Sequence, residues 1–279
     1  MIKKFFLLFG LILIIGLGVF AGNAYTQGPT EYDRLYQEYS LKVEEYRRSR
    51  DEYILARSQY LKFKTLTSQN TAKEKTIIFL QARDEVVVSY IKTVIEKLKE
   101  TQGIPDATRD AVITRLNDEA TWFSDHKGRV SAAGSLEDLV SDSDEAKKRY
   151  ELIDPLLYEA LSVLSSGRVN RYRERLDDTF ASVKSKVTEI REEDREEYKF
   201  ETRKLEIIDR WIFDTEGRII RSQEKLVEAD GLIAGFTSAK IRGASNYNEV
   251  LEVLGESQQY LKEASLFVKE IIREIKTED

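Results

Sequence analysis

A chain of 279 residues that is 41% hydrophobic and 34% charged, with only 3 prolines, carries enough apolar surface to bury a core, which excludes a low-complexity disordered protein. Zero cysteines exclude disulfides, thiol nucleophiles and thiolate metal sites, and the single histidine, His126, excludes any centre built on two imidazoles. The net charge is −6, and Lys3 and Lys4 are the only charges before Glu31, so the remainder is more acidic still and nucleic acid is not an expected partner.

The first element is a targeting segment. Lys3 and Lys4 precede an uncharged apolar run over residues 5–22, which as a helix would reach roughly 27 Å, close to the hydrocarbon thickness of a bilayer. Gly22-Asn23-Ala24 also places small residues where a signal peptidase cuts, before Tyr25. Residues 1–24 are therefore expected to be a signal peptide or a transmembrane anchor and 25–29 a short linker, with residues 30–279 a helical domain. The leading lysines keep the N-terminus in the cytoplasm, so that domain is expected to be extracytoplasmic, either anchored by one helix or secreted after cleavage near Ala24.

Thr30, after Gly28-Pro29, reads as an N-cap. Tyrosines then recur every seventh residue, at Tyr32, Tyr39, Tyr46, Tyr53 and Tyr60, the register of a helix packed along one seam. This predicts a first helix over 30–68 with a soft break at Ser68-Gln69-Asn70. The stripe Ile77, Leu80, Val87, Ile91, Val94 and Leu98 predicts a second over 71–102, antiparallel to the first. Pro105 in a first turn, then Val112, Leu116 and Phe123, predicts a third over 105–127. Leu136, Leu139, Tyr150, Ile153, Leu157 and Leu164 predict a fourth over 136–166, kinked or split at Asp154-Pro155 and closed by Gly167.

Two apolar seams, Leu176 to Ile190 and the heptad Leu205, Ile212, Ile219, Leu226, Ile233, are compatible with one helix over 168–232 whose middle is the charged run around Asp194, Glu197 and Glu201. Gly231 to Ser245 is glycine-punctuated loop, after which Asn246 and Glu249 form a capping box for a last helix over 246–276. The fold class is thus all-α: an elongated antiparallel bundle or coiled coil of about five to seven long helices, with an N-terminal transmembrane or signal helix.

Chemistry is sparse. Asp125 could orient His126 as a general base, but the expectation is an exposed histidine near a helix end. No His-Glu-x-x-His or Glu-x-x-His occurs, so no catalytic residue, metal site or cofactor is expected. The acidic run Glu192 to Glu197 would supply oxygen ligands for Ca²⁺ only if it folded back as a loop. Ser222-x-x-Lys225 lacks the companion motifs of serine–lysine hydrolases. The five tyrosines are the one candidate interaction seam. Their even spacing favours helix–helix packing over a ligand groove, since a binding site needs a cluster and a seam needs a period.

These readings point to a structural or adaptor protein of the cell envelope, not an enzyme, meeting other envelope proteins or its own copies through helix surfaces, with the membrane a partner through residues 5–22 if they are retained. The alternative is a helical module binding a small ligand or glycan near Trp122, Trp211 or the 231–245 loop. An apolar stripe left exposed after folding distinguishes the first, and a pocket with convergent polar groups the second.

Overall fold

The computed structural model describes residues 28–193, 200–237 and 243–277, and among them it is all-α with no strand. Residues 5–22 lie outside the described residues, as do positions 194–199 of the charged run. Among the described residues no helix is long and apolar enough to cross a membrane. Six helices follow in order: α1 (Glu31–Phe63), α2 (Leu66–Glu100), α3 (Asp106–Ser131), α4 (Leu136–Arg191), α5 (Thr202–Ala234) and α6 (Gly243–Lys276), with a 3-10 turn at Gly235–Thr237.

Local chemistry sets most of the boundaries. Thr30 caps α1 as expected: its hydroxyl accepts from the Asp33 N–H, and Asp33 returns the bond to the Thr30 N–H at 2.9 Å. The break expected at Ser68 to Asn70 lies earlier. Lys64 takes a left-handed conformation (φ 51°) that ends α1, and Thr65 caps α2 with Ser68 as its reciprocal partner, so residues 68–70 are helical. α3 runs through Gly128 to Ser131, and Ser135 with Asp138 caps α4.

Three expectations about the second half are corrected. α4 neither splits at Asp154-Pro155 nor stops at Gly167, but is one helix of 56 residues, roughly 84 Å long. Pro155 forfeits one backbone bond, yet Ile153, Leu157, Ala160, Leu161 and Leu164 around it are all buried, and that packing holds the helix through the gap. Gly167 serves close approach instead of termination, because a Cβ there would sit 2.3 Å from Ile104 Cγ1. Gly103, at φ +84°, faces it, and its own Cβ would meet the Gly167 carbonyl at 2.3 Å.

Nor is 168–232 one helix. α4 ends at Arg191 and α5 returns antiparallel to it, with Arg191 paired to Asp209, Lys184 to Glu216 and Ser166 to Asp230. A straight rod would have left the seams of Leu176, Phe180, Val183 and Val187 and of Ile208 and Leu226 in water; folding back buries all six. Finally, α5 continues to Ala234 with Ile233 and Phe236 in the core, and α6 starts at Gly243, so Asn246 is inside the helix and not its cap.

The result is two bundles sharing one spine. α1, α2 and α3 pack antiparallel in turn, and α2 and α3 rest on α4 while α1 lies outside α2. α5 and α6 form a hairpin on its second half, α6 running parallel to α4 from Tyr158 beside Gly243 to Val183 beside Ile275. One continuous apolar core passes through both, from Val87 to Ile271, and a small satellite of Leu80, Val130 and Leu139 sits near the α3–α4 turn.

Candidate functional site

The tyrosine ladder lies on the face of α1 that meets α2. Tyr46 and Tyr53 both stack on Phe79 (centroids 5.5 and 4.9 Å), Tyr39 packs on Tyr90 at 5.4 Å, and the Lys97 ammonium sits 4.2 Å from the Tyr32 ring. All five, Tyr60 included, are half-buried. Burial raises the hydroxyl pKa of Tyr32 and Tyr46, and lifts that of Tyr39 to about 12.

Spacing alone did not reveal that the ladder also feeds a cluster. Where the two bundles meet, Tyr39 of α1, Tyr90 of α2, Tyr150 and Tyr158 of α4 and Tyr247 of α6 are close enough to perturb one another's ionisation, and Tyr158 and Tyr247 pack at 5.6 Å. Burial raises the pKa of every one of these hydroxyls. Tyr90 Oη and Asp154 Oδ1 are buried without a hydrogen-bond partner. Burial alone pushes the Asp154 carboxyl above its usual range. Gly243 closes the junction, since a Cβ there would lie 2.4 Å from Tyr158 and 2.9 Å from Asp154 Oδ2.

The second polar centre corrects the expectation for His126, which is not exposed but wholly buried. Its orienting carboxylate is not Asp125 but Asp84 of α2, with Oδ2 2.6 Å from Nδ1. Nε2 lies 2.9 Å from the Asp142 main-chain oxygen, which can only accept, so Nε2 carries a proton and donates it. Trp122 stacks on the imidazole at 5.0 Å, and the Arg129 and Arg149 guanidinium groups lie over the indole at 5.6 and 5.5 Å. Arg83 Nε reaches Asp84 Oδ1 at 3.4 Å. A signal for this centre was available: Asp84 falls four residues after Leu80 and three before Val87, and His126 three after Phe123, so both occupy core-facing positions of apolar stripes.

His126, Asp142 and Glu145 bring three potential ligand atoms within 4.8 Å of one another. The trio is engaged otherwise, because the Nε2 proton is spent on the Asp142 carbonyl and Glu145 pairs with Arg129 at 2.9 Å. Nor do Ser222 and Lys225 form a nucleophile–base pair. Ser257 donates to the Ser222 carbonyl, which leaves the Ser222 hydroxyl to donate to Ser257 Oγ at 2.8 Å, while Lys225 faces Glu228 and Glu256. Of the acidic run, Glu192 caps α4, and positions 194–197 lie outside the described residues.

Among the described residues two open grooves stand out. One of about 250 Å³ runs between α1, α2 and α3, where Glu85 bridges Lys42 and Lys127, each at 2.8 Å. Burial alone would raise the Glu85 carboxyl, but those two ammonium groups outweigh it and hold it below its ordinary value. The other, about 280 Å³, is lined mainly by the aliphatic side chains of Val183, Ile272 and Ile275. Trp211 packs on Phe267 at 5.2 Å.

Along α5, Phe213, Ile220 and Val227 stand one heptad apart and face solvent, at 75, 59 and 61% exposure. The heptad of Leu205, Ile212, Ile219, Leu226 and Ile233 turns inward on the same helix, so α5 carries apolar residues on two faces and uses one of them for the fold. Compared with known proteins, the chain matches no family model, no curated protein and no solved structure.

Proposed function

We propose that this chain is a non-enzymatic helical scaffold or adaptor of the cell envelope that holds a partner along the outer face of α5. The observation that carries the reading is the exposed heptad Phe213, Ile220 and Val227, because three large apolar side chains in one line on a rigid helix make a continuous docking stripe. Mixed charges flank it, with Asp214, Glu216, Arg221, Glu224 and Glu228 on the same helix, as suits a protein partner whose rim charges set register. A helical module binding a small ligand or glycan is the alternative reading, and the two grooves described above are open to solvent. The extracytoplasmic setting rests on Lys3, Lys4 and the apolar run 5–22.

Photo-crosslinking amino acids placed in living cells at positions 213, 220 and 227, with the exposed positions 118 and 125 on α3 as controls, test the reading. The expected result is one common crosslinked partner at the three stripe positions and none at the controls. A reporter fused after residue 279 should be active only outside the cytoplasm. Equal labelling at stripe and control positions, or a reporter active in the cytoplasm, would refute the proposal.

A further inference from the structure

A second exposed apolar region differs from the α5 stripe in its charge. Glu52 pairs with Lys75 across the α1–α2 hairpin, and Lys73 ties α2 to the Gly134 carbonyl at the α3–α4 turn. Beyond them the two helices run on, closed against each other over the buried small residues Ala56 and Ala72. The apex is the tight turn at Lys64, and Phe63 and Leu66 on either side of it are 60 and 73% exposed, with Leu55 and Leu61 exposed behind them. From Tyr53 to Lys73 there is no Asp or Glu, whereas Arg57, Lys62, Lys64 and Lys73 are all cationic, in a chain of net charge −6. Arg57, Lys62 and Lys64 are exposed, and the Lys62 ammonium sits 5.1 Å from the Phe63 ring centroid.

We propose that this hairpin tip docks on an anionic lipid surface, with Phe63, Leu61 and Leu66 entering the headgroup boundary and Arg57, Lys62 and Lys64 meeting lipid phosphates. Large apolar side chains at an apex with only cations behind them match the two forces a bilayer interface offers, burial of hydrocarbon and attraction to negative headgroups. The inference is independent of the α5 reading, whose stripe is flanked by charges of both signs. A nucleic acid would need the cations in front and has no use for the exposed leucines.

Because the chain has no cysteine, Leu66→Cys in the full-length protein can carry an environment-sensitive fluorophore at the tip alone. Mixed phosphatidylglycerol–phosphatidylcholine vesicles should shift its emission to the blue and brighten it, and pure phosphatidylcholine should do so only weakly. A fluorophore at Glu224→Cys should not respond. Lys62→Glu with Lys64→Glu should weaken the tip response to anionic vesicles about tenfold or more, since each basic residue contributes to the attraction. The tip readout separates this contact from any insertion of residues 5–22, which would bind vesicles without moving the signal at position 66. An unchanged tip signal on anionic vesicles, a response that survives the charge reversal, or a shift that needs protein concentration and no lipid would each overturn the proposal, the last in favour of contact between copies of the chain.

Discussion

The two bundles solve the same packing problem with different materials. On the second half of α4, aliphatic residues dominate: Ile208, Leu226, Val250, Leu254, Leu261, Val268 and Ile271 are buried, relieved mainly by hydroxyls such as Ser222, Ser257 and Thr215. On the first half the core includes the Asp84–His126 pair, Tyr90 and the nearly buried Glu159, which receives both Nη groups of Arg115. Aliphatic packing is tolerant of small errors. A buried ionisable network holds one arrangement and fails sharply when a partner is lost.

Removing a partner from the network gives the largest expected effect. Asp84→Ala leaves His126 Nδ1 without its partner in a wholly buried site and should cost about 3–5 kcal/mol of stability, read as a lowered urea midpoint. Hydrogen exchange should show protection lost first in α2 and α3 while α5 and α6 keep theirs. A loss below about 1 kcal/mol, or an even loss across both bundles, would erase the contrast.

In the second bundle the matching test is milder. Ser222→Ala or Ser257→Ala alone leaves a buried hydroxyl or carbonyl short of a partner and should cost about 1–3 kcal/mol, whereas removing both hydroxyls should cost less than the sum of the singles. A double-mutant cycle reads this coupling directly, and strict additivity would mean that the two hydroxyls do not act as a pair.

The smallest effect lies at the junction and has the opposite sign. Burial raises the Asp154 pKa above the usual 3.8, so the folded chain binds that proton more tightly than the unfolded one. Its contribution is therefore fully present below pH 3.8 and is lost as pH rises through the folded value. Asp154→Asn should raise the thermal midpoint near neutral pH and bring no such gain in acid. A variant less stable than the wild type at neutral pH would indicate that the carboxylate has a favourable charge partner there.

Helical periodicity carried most of the fold into the sequence. The stripes of α2, α3, α5 and α6 are regular, and the Thr30 cap was legible because a short polar side chain before a periodic run has one common use. Gly167 is not legible as a packing residue, because composition does not distinguish a glycine that ends a helix from one that lets Ile104 approach. The 192–201 break was ambiguous because a solvated helix and a turn can have the same charged composition, and only the burial gained by folding back decides between them. Asp84 and His126 sit on different helices 42 residues apart, so their pairing depends on α2 and α3 being in register. The tyrosine cluster needed the same information for four helices, and the seven-residue spacing within α1 disclosed only its Tyr39 member.

The start of α1 lies neither at the hairpin tip nor at the far end of the spine. Glu31 interacts with Lys99, and Tyr32 with Lys97 and Arg168, so the residues leading into this helix join the molecule near the midpoint of α4. Two arms extend from that point along the unbroken α4, one ending in the basic hairpin tip and the other carrying the α5 stripe, so the two exposed apolar regions lie on opposite sides of the place where α1 begins.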